Sequence, residues 1–549
     1  MKKKFFNLKL TFLLLFSSAY AQESHQHSLF PYQAPKNFDL FINEGRVHHP
    51  VTTNNPEAQQ FFDQGLTLIY AFNHDAAYWS FQKASQLDPQ LAMAYWGMAL
   101  SLGQNINIDI DDERERIANN LIKKALALAE ASNITDSEKA YIDALNQRYS
   151  DNPKSNRTEL AKNYYAAMQK LTERFPDDLD GATLFAESGL DLNPWGQWDD
   201  KGNPKPGTLE IVAVLENVLK WDPKHLGANH YYIHAIEASN YPERALMSAE
   251  RLRNMLPNAG HILHMPGHIF LLVGDYHLAA ECNVKAIEAD KKYIREFGMD
   301  GVYPLHYLSH NLYFLSRSYS MEGRPEDAKR AAEELYQLFV PSFKKMPELE
   351  YYAPTSLFVL LRFNKWKEIL EQPLLPQEMK MAKSLEHFVR AMAYASLNEI
   401  ADAKKEQNLF LETSKQLPAD AKFGNNKTGP IMSIARLVLQ AKLAEINKDA
   451  KSAIESLQQA IQIQDQLGYN EPPDWSIPVR ESLGDLLLSE KKYKEAEAVY
   501  RTDLEKHPRS GRSLFGLMLG LQGQNRHSDA FWIKREFDEA WKYSTVPLP

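Results

Sequence analysis

Three histidines stand in the segment "AGHILHMPGHIF", residues 259–270, at His261, His264 and His268. Separations of three and then four residues place them on one stripe of a helix. A neutral imidazole offers one ring-nitrogen lone pair, so such a stripe can ligate a first-row transition metal or take ordinary hydrogen bonds. Pro266 lies inside the stretch; it either kinks a helix there or marks its start, which would leave His261 and His264 on the entering loop. Upstream, "HYYIHAIE" supplies His230, His234 and Glu237, and downstream "SHNLYF" supplies His310. Nine of the 17 histidines fall between His225 and His310, less than a sixth of the chain. A lone histidine is ordinarily a structural residue. A cluster asks for a common role.

Whether these side chains meet depends on the elements that carry them. Residues 58–89 match a 34-residue tetratricopeptide pattern, with Gly65, Ala77, Phe81, Ala84 and Pro89 at positions eight, twenty, twenty-four, twenty-seven and thirty-two. Near the other end, Gly484, Ala496, Tyr500 and Pro508 take positions eight, twenty, twenty-four and thirty-two. Ala245, Ala279, Ala328, Ala403, Ala453 and Ala530 hold position twenty in weaker copies. Strand and hairpin signals are nearly absent. The pattern predicts an all-α, tetratricopeptide-type solenoid of stacked antiparallel helix pairs with a concave inner surface.

At about 100° per residue, positions four, seven, eight and eleven of each first helix pack against neighbours. Positions two, five, nine and twelve face the opposite way, into the expected concave groove. His261, His264 and His268 take positions two, five and nine of a frame starting at Gly260. His230, His234 and Glu237 take five, nine and twelve from Leu226, and His310 takes two from Ser309. From Leu179, Glu187 takes nine and Asp191 thirteen. The six histidines are therefore the expected ligands of a divalent transition metal (zinc, iron, copper or manganese), with Glu237 and Glu187 as candidate catalytic bases. An open coordination position would allow hydrolytic or oxidative chemistry on a small molecule or peptide. Whether the chain is an enzyme stays open, beside two rivals: a groove binding a peptide or protein partner, and metal capture or delivery.

The first 21 residues, "MKKKFFNLKLTFLLLFSSAYA", combine a basic start, an apolar run and small residues at Ala19 and Ala21, which predicts a secretory signal peptide and a periplasmic or secreted protein. No cysteine follows it to carry a lipid, and no later segment is apolar enough to span a bilayer. Residues 22–55, with His25, His27, His48 and His49, predict an extended arm. Residues 56–345 form an N-terminal repeat array carrying the histidine face and a loop insertion at 193–207, and 346–549 a C-terminal array. A further insertion falls around 292–305. Cys282 is the only cysteine, so an intrachain disulfide is impossible and the residue reads as core. A net charge of -9 with mixed signs argues against nucleic acid as a partner. Asn105, Asn107 and Glu481 could reach the groove, though capping suits the asparagines better, and His74 reads as a turn residue.

The segments "YAFNHDAAYWSFQKASQLDP", "AMAYWGMAL", "HLGANHYYIHAIEAS", "AGHILHMPGHIF", "HN" at 310–311 and "EPPDWSIPVRESLG" resemble those of a group of bacterial exported tetratricopeptide-repeat proteins carrying this HMPxHI-type histidine motif. The resemblance covers nearly the whole chain after residue 21. It implies the helical-repeat fold and a shared functional site at the histidine face, and it transfers no reaction. Tetratricopeptide proteins in general bind peptides or partner proteins in the concave groove.

Overall fold

A computed structural model describes residues 32–548, apart from 153, 300 and 302. The signal peptide expected over 1–21, and His25 and His27, lie outside the described residues. The described chain is an all-α stack of helical hairpins of the tetratricopeptide type, with 24 α-helices and one short β-hairpin, Lys422–Phe423 with Asn426–Lys427.

The repeat pattern has a direct physical counterpart. The position-twenty alanines Ala77, Ala245, Ala279, Ala328, Ala403, Ala453 and Ala496 are all 0% exposed, because each sits where two helices of a hairpin cross and no larger side chain fits. A Cβ on Gly65 would stand 2.7 Å from the Phe81 ring, and one on Gly97 would stand 2.4 Å from it. Tyr500 is wedged in the same way between Gly484 and Gly516. One aromatic ring thus locks two successive first helices together.

Seven hairpins turn through a left-handed residue at position fifteen. Gly274, Gly323, Asn398, Lys448, Lys491 and Asn525 fill it with φ between 56° and 81°. Phe72 occupies the same position at φ 53°, the one bulky aromatic among them.

The stack curls back on itself. The Tyr276 hydroxyl donates to the Pro508 carbonyl at 2.9 Å, the Ser544 hydroxyl to the Gly323 carbonyl at 3.0 Å, and the His277 ring stacks on Tyr543 at 3.7 Å. Gly274 lies so close to the Pro508 carbonyl that a Cβ there would come within 2.0 Å. Packing also runs unbroken through residues 345–346, where Leu335 and Phe339 share a core with Met346, Leu349 and Met379. The concave face is therefore not the open groove expected from the repeat. Segments from distant repeats close it.

Residues 32–55 contain no helix or strand and lie along the first hairpin. Phe38 and Ile42 are buried in its core, and Gln64 accepts hydrogen bonds from the backbone of Phe41 and Ile42. The arm is a strap bound into the array.

Candidate metal centre

Three first helices bring the histidines together. Leu226–Ile236 carries His230 and His234 and is capped by Glu237; Gly260–Leu272 carries His261, His264 and His268; Ser309–Glu322 carries His310. These helices begin at the residues where the sequence frames start. Pro266 lies inside the Gly260–Leu272 helix, so His261 and His264 are helical. A Cβ on Gly267 would stand 2.8 Å from the Asn283 amide nitrogen, so the glycine leaves that side chain its room. Asn283 donates its amide to the Ala279 carbonyl, which turns its own oxygen toward His264.

The six imidazoles fall into two sets, His230/His234/His261 and His264/His268/His310, and within each set one ligand atom per residue lies within 4.8 Å of the others. Five of the six are at most 3% exposed, and His310 is half-buried. The hydrogen bonds fix the tautomers. His230 Nδ1 faces the Tyr70 carbonyl at 2.6 Å, His264 Nδ1 faces Asn283 Oδ1 at 2.8 Å, and His234 and His268 Nδ1 face the two oxygens of Glu237 at 2.7 and 2.5 Å. All four partners are acceptors, so each Nδ1 donates its proton and each Nε2 is left with a lone pair. Those lone pairs converge: in the neutral, ligating form of the two rings, His264 Nε2 and His268 Nε2 face each other at 2.7 Å with a lone pair on each. His230 Nε2 and His261 Nε2 are 3.1 Å apart, and His234 Nε2 and His261 Nδ1 have no partner. A buried polar atom without a partner costs about 1–3 kcal/mol. Two nitrogens bound to one ion at about 2.0–2.1 Å stand roughly 3 Å apart at ordinary coordination angles. The donor set and its outer hydrogen bonds fit a metal.

Burial, reinforced by neighbouring imidazoles, pushes His230, His261 and His264 well below the ordinary histidine value and His310 down to about 3. Burial lowers His234 too. Unprotonated imidazole is the ligating form. For Glu237, burial works to raise the carboxyl, but His268 and His234 outweigh it and hold it well below the usual carboxylate range.

Glu237 therefore differs from the free base expected of it. Both oxygens are engaged by histidines, and the Tyr469 hydroxyl donates to Oε2 at 2.9 Å. This carboxylate orients His234 and His268, the place outer carboxylates take in metal sites. Glu187 does not join the histidines. It lies with Asp191 and Arg148, and the Arg148 guanidinium donates to Asp191 at 2.9 Å. Burial raises the Glu187 carboxyl against the pull of Arg148.

Several groups around the centre went unrecognised as parts of it in the sequence. Phe72 stacks over His261 and His234 at ring separations of 5.2 and 5.7 Å and meets His230 edge-on at 4.6 Å. Trp195, from the 193–207 insertion, packs edge-on against His234 at 5.5 Å, while Trp198 donates to the Ala235 carbonyl and pins that loop. Tyr469 and Glu471 arrive on the 465–478 segment, which is anchored where Asn426 of the β-hairpin donates to Asp474 at 2.7 Å. Trp195, His306, Tyr307, Tyr351, Asn470 and Glu471 join His234, His261, His268 and His310 around a cavity of about 160 Å³. Glu471 Oε1 is buried without a partner, and burial, with the Glu237 charge, pushes its carboxyl well above the ordinary value.

Of the remaining candidates, Asn107 lines this cavity and the others are structural. His74 begins the second helix, Asn105 Oδ1 accepts from the Asn107 and Ile108 backbone, and Glu481 forms a two-pronged pair with Arg362 at 2.8 and 3.1 Å. His49 contacts Asp180 at 2.7 Å and His48 contacts Asp63 at 2.8 Å. No helix among the described residues is long and apolar enough to cross a membrane.

No family model matches the chain, and no curated protein matches it. Among solved structures, it is similar to the human IFIT1 dimer with m7Gppp-AAAA, at 11% identity over 90% of this chain and 96% of that one, TM-score 0.34. It is also similar to yeast Tom70, at 12% identity over 88% and 90%, TM-score 0.29. A third is Cut9 of the APC/C hetero-tetramer Cut9–Hcn1, at 14% over 89% and 74%, TM-score 0.30. At these scores the superposition is loose, and no functional statement follows from it.

Proposed function

We propose that this protein is a metalloprotein whose six-histidine centre works on a small molecule. The observation that carries the reading is the 2.7 Å contact between His264 Nε2 and His268 Nε2, two imidazoles whose Nδ1 protons are already committed to Asn283 and Glu237. Copper, zinc or iron suits such an all-imidazole donor set better than manganese. Bound there, the metal would supply Lewis acidity for hydrolysis or electron transfer for oxidation. The chain's own groups set the conditions. Glu237 holds His234 and His268 in the ligating tautomer, Phe72 and Trp195 exclude water, and Glu471 holds a proton at the cavity wall.

The rival readings fare less well on geometry. A cavity of about 160 Å³ has room for a small molecule, whereas a helical peptide alone is about 10–12 Å across. Metal delivery calls for exchangeable ligands, and five of these histidines are at most 3% exposed. The N-terminal sequence supports export to the periplasm or beyond, in keeping with the resemblance to exported repeat proteins.

Elemental analysis of untagged protein tests the reading. Metal at one ion per chain or more, reduced in His264→Ala and in His234→Ala, is the expected result. Metal-free protein of full stability that takes up none on titration would overturn it.

A further inference from the structure

We infer that the centre holds two ions side by side, one on each three-histidine set; this rests on the metalloprotein reading above and goes beyond it. The close nitrogen contacts fall within sets and not between them: His230 with His261 at 3.1 Å, and His264 with His268 at 2.7 Å. Each pair has the spacing of two ligands on one ion. His234 completes the first set and His310 the second. Between sets, the nearest rings are His261 with His264, at 5.9 Å between centroids, and His234 with His268, at 6.1 Å. One ion cannot draw all six nitrogens to itself without breaking the Nδ1 hydrogen bonds that aim them, yet two neighbouring ions leave every one of those bonds in place.

Glu237 ties the pair together. One oxygen takes His234 of the first set and the other takes His268 of the second. A single buried carboxylate thereby fixes the relative orientation of both sets and offsets part of the positive charge two ions would bring. The cavity agrees with this arrangement, because His234 and His261 line it from one set and His268 and His310 from the other. A small molecule there reaches both ions at once. Neither set contains a thiolate or a carboxylate, so the ions are those that accept three imidazoles, copper and zinc ahead of manganese.

The test is to strip untagged full-length protein with a chelator, titrate it with Cu(II), and measure bound copper and the electron paramagnetic resonance signal. Two copper ions per chain are expected, with a signal weaker than the copper content because neighbouring ions couple. His230→Asn and His310→Asn should each bind one ion and show its full signal, with unchanged circular dichroism confirming the fold. The wild-type ratio is informative without any variant. One ion per chain, abolished by either substitution, overturns the two-ion inference and leaves the metalloprotein reading standing. Two uncoupled ions that neither substitution affects also overturn it, as adventitious surface binding. No bound copper, and none of zinc or iron in the same titration, overturns both.

Discussion

His49 and His268 each sit against a carboxylate, and the difference between them lies in the other ring nitrogen. His49 Nδ1 contacts Asp180, whose second oxygen already accepts from the Tyr70 hydroxyl at 2.6 Å. Asp178 beside it is equally occupied, by the Gly181 backbone N–H and the Tyr141 hydroxyl. The ring itself opens on a surface cleft shared with His48. His268 makes a similar bond to Glu237, but its Nε2 points inward at another lone pair. Both clusters have metal-like composition and spacing. Only the central one leaves its inward atoms without protein partners. The same contrast holds between repeats, since Glu481 and His264 both occupy position five, and Arg362 satisfies Glu481 completely.

If the central histidines are frustrated without an ion, chelation must lower the stability of the whole array. Free metal at a thousand times Kd is worth about 4 kcal/mol. Thermal melts with and without a chelator should therefore separate by several degrees, and the separation should shrink in His264→Ala and vanish when His234→Ala is added to it. An Arg362→Ala variant should melt lower in both conditions, because its loss concerns a buried ion pair and no metal.

Glu237→Gln comes next. Glutamine offers one acceptor oxygen where two imidazoles need one each, so either His234 or His268 loses its orientation. Outer-ligand losses of this kind weaken metal binding about 10–100-fold. Competition against a chromogenic chelator measures it; unchanged affinity would mean that Glu237 does not orient the ligands.

The same substitution logic explains what the sequence could and could not reveal. The 34-residue frame placed all six histidines on one face because position within a hairpin sets direction, and the helix starts at Leu226, Gly260 and Ser309 follow that frame. The frame also put Glu187 on the inner side. What it could not see is that Arg148, from the turn after an earlier helix, draws the neighbouring Asp191 into a separate polar cluster. Tyr469 reaches Glu237 across 232 residues because the stack curls back, and no 34-residue period encodes that curl. Trp195 and the 465–478 segment sit in insertions, where the repeat gives no direction at all. The direction of Glu237 follows from the frame, whereas its two histidine partners become visible only once the helices are side by side.

His49→Ala tests the occupied cluster beneath the strap. Burial favours the neutral ring, but Asp180 outweighs it and raises the His49 pKa above 6.5. A raised histidine contributes its stability below the unfolded value, and the contribution is lost as pH climbs through the folded value. Asp180, whose pKa burial would raise, is instead held well below 3.8 by His225 and His49, so its own contribution is present above that value and lost as pH falls through the folded one. The substitution should therefore cost about 1.5–3 kcal/mol at pH 6, the range for a hydrogen bond to a charged group, and less at pH 9. Urea melts at the two pH values check the sign, and metal content should not change. Loss of metal in this variant would make the strap part of the centre.

Phe72→Asn carries the smallest expected change in stability and the most specific one. Six other repeats turn through glycine, asparagine or lysine at this position, whereas Phe72 holds the left-handed backbone with an aromatic side chain. That conformation costs about 1–3 kcal/mol, which asparagine largely avoids. Truncating a buried phenylalanine costs about 3–5 kcal/mol, so the two effects partly cancel and the net loss should be about 1–2 kcal/mol. If the ring is retained only for packing, metal release to a chelator should be unaffected. If it is retained as the wall that keeps water from His230, His234 and His261, release should quicken while the equilibrium melt barely moves. Stopped-flow release kinetics beside a thermal melt distinguish the two, and a lower melt with unchanged release would assign Phe72 to the core alone.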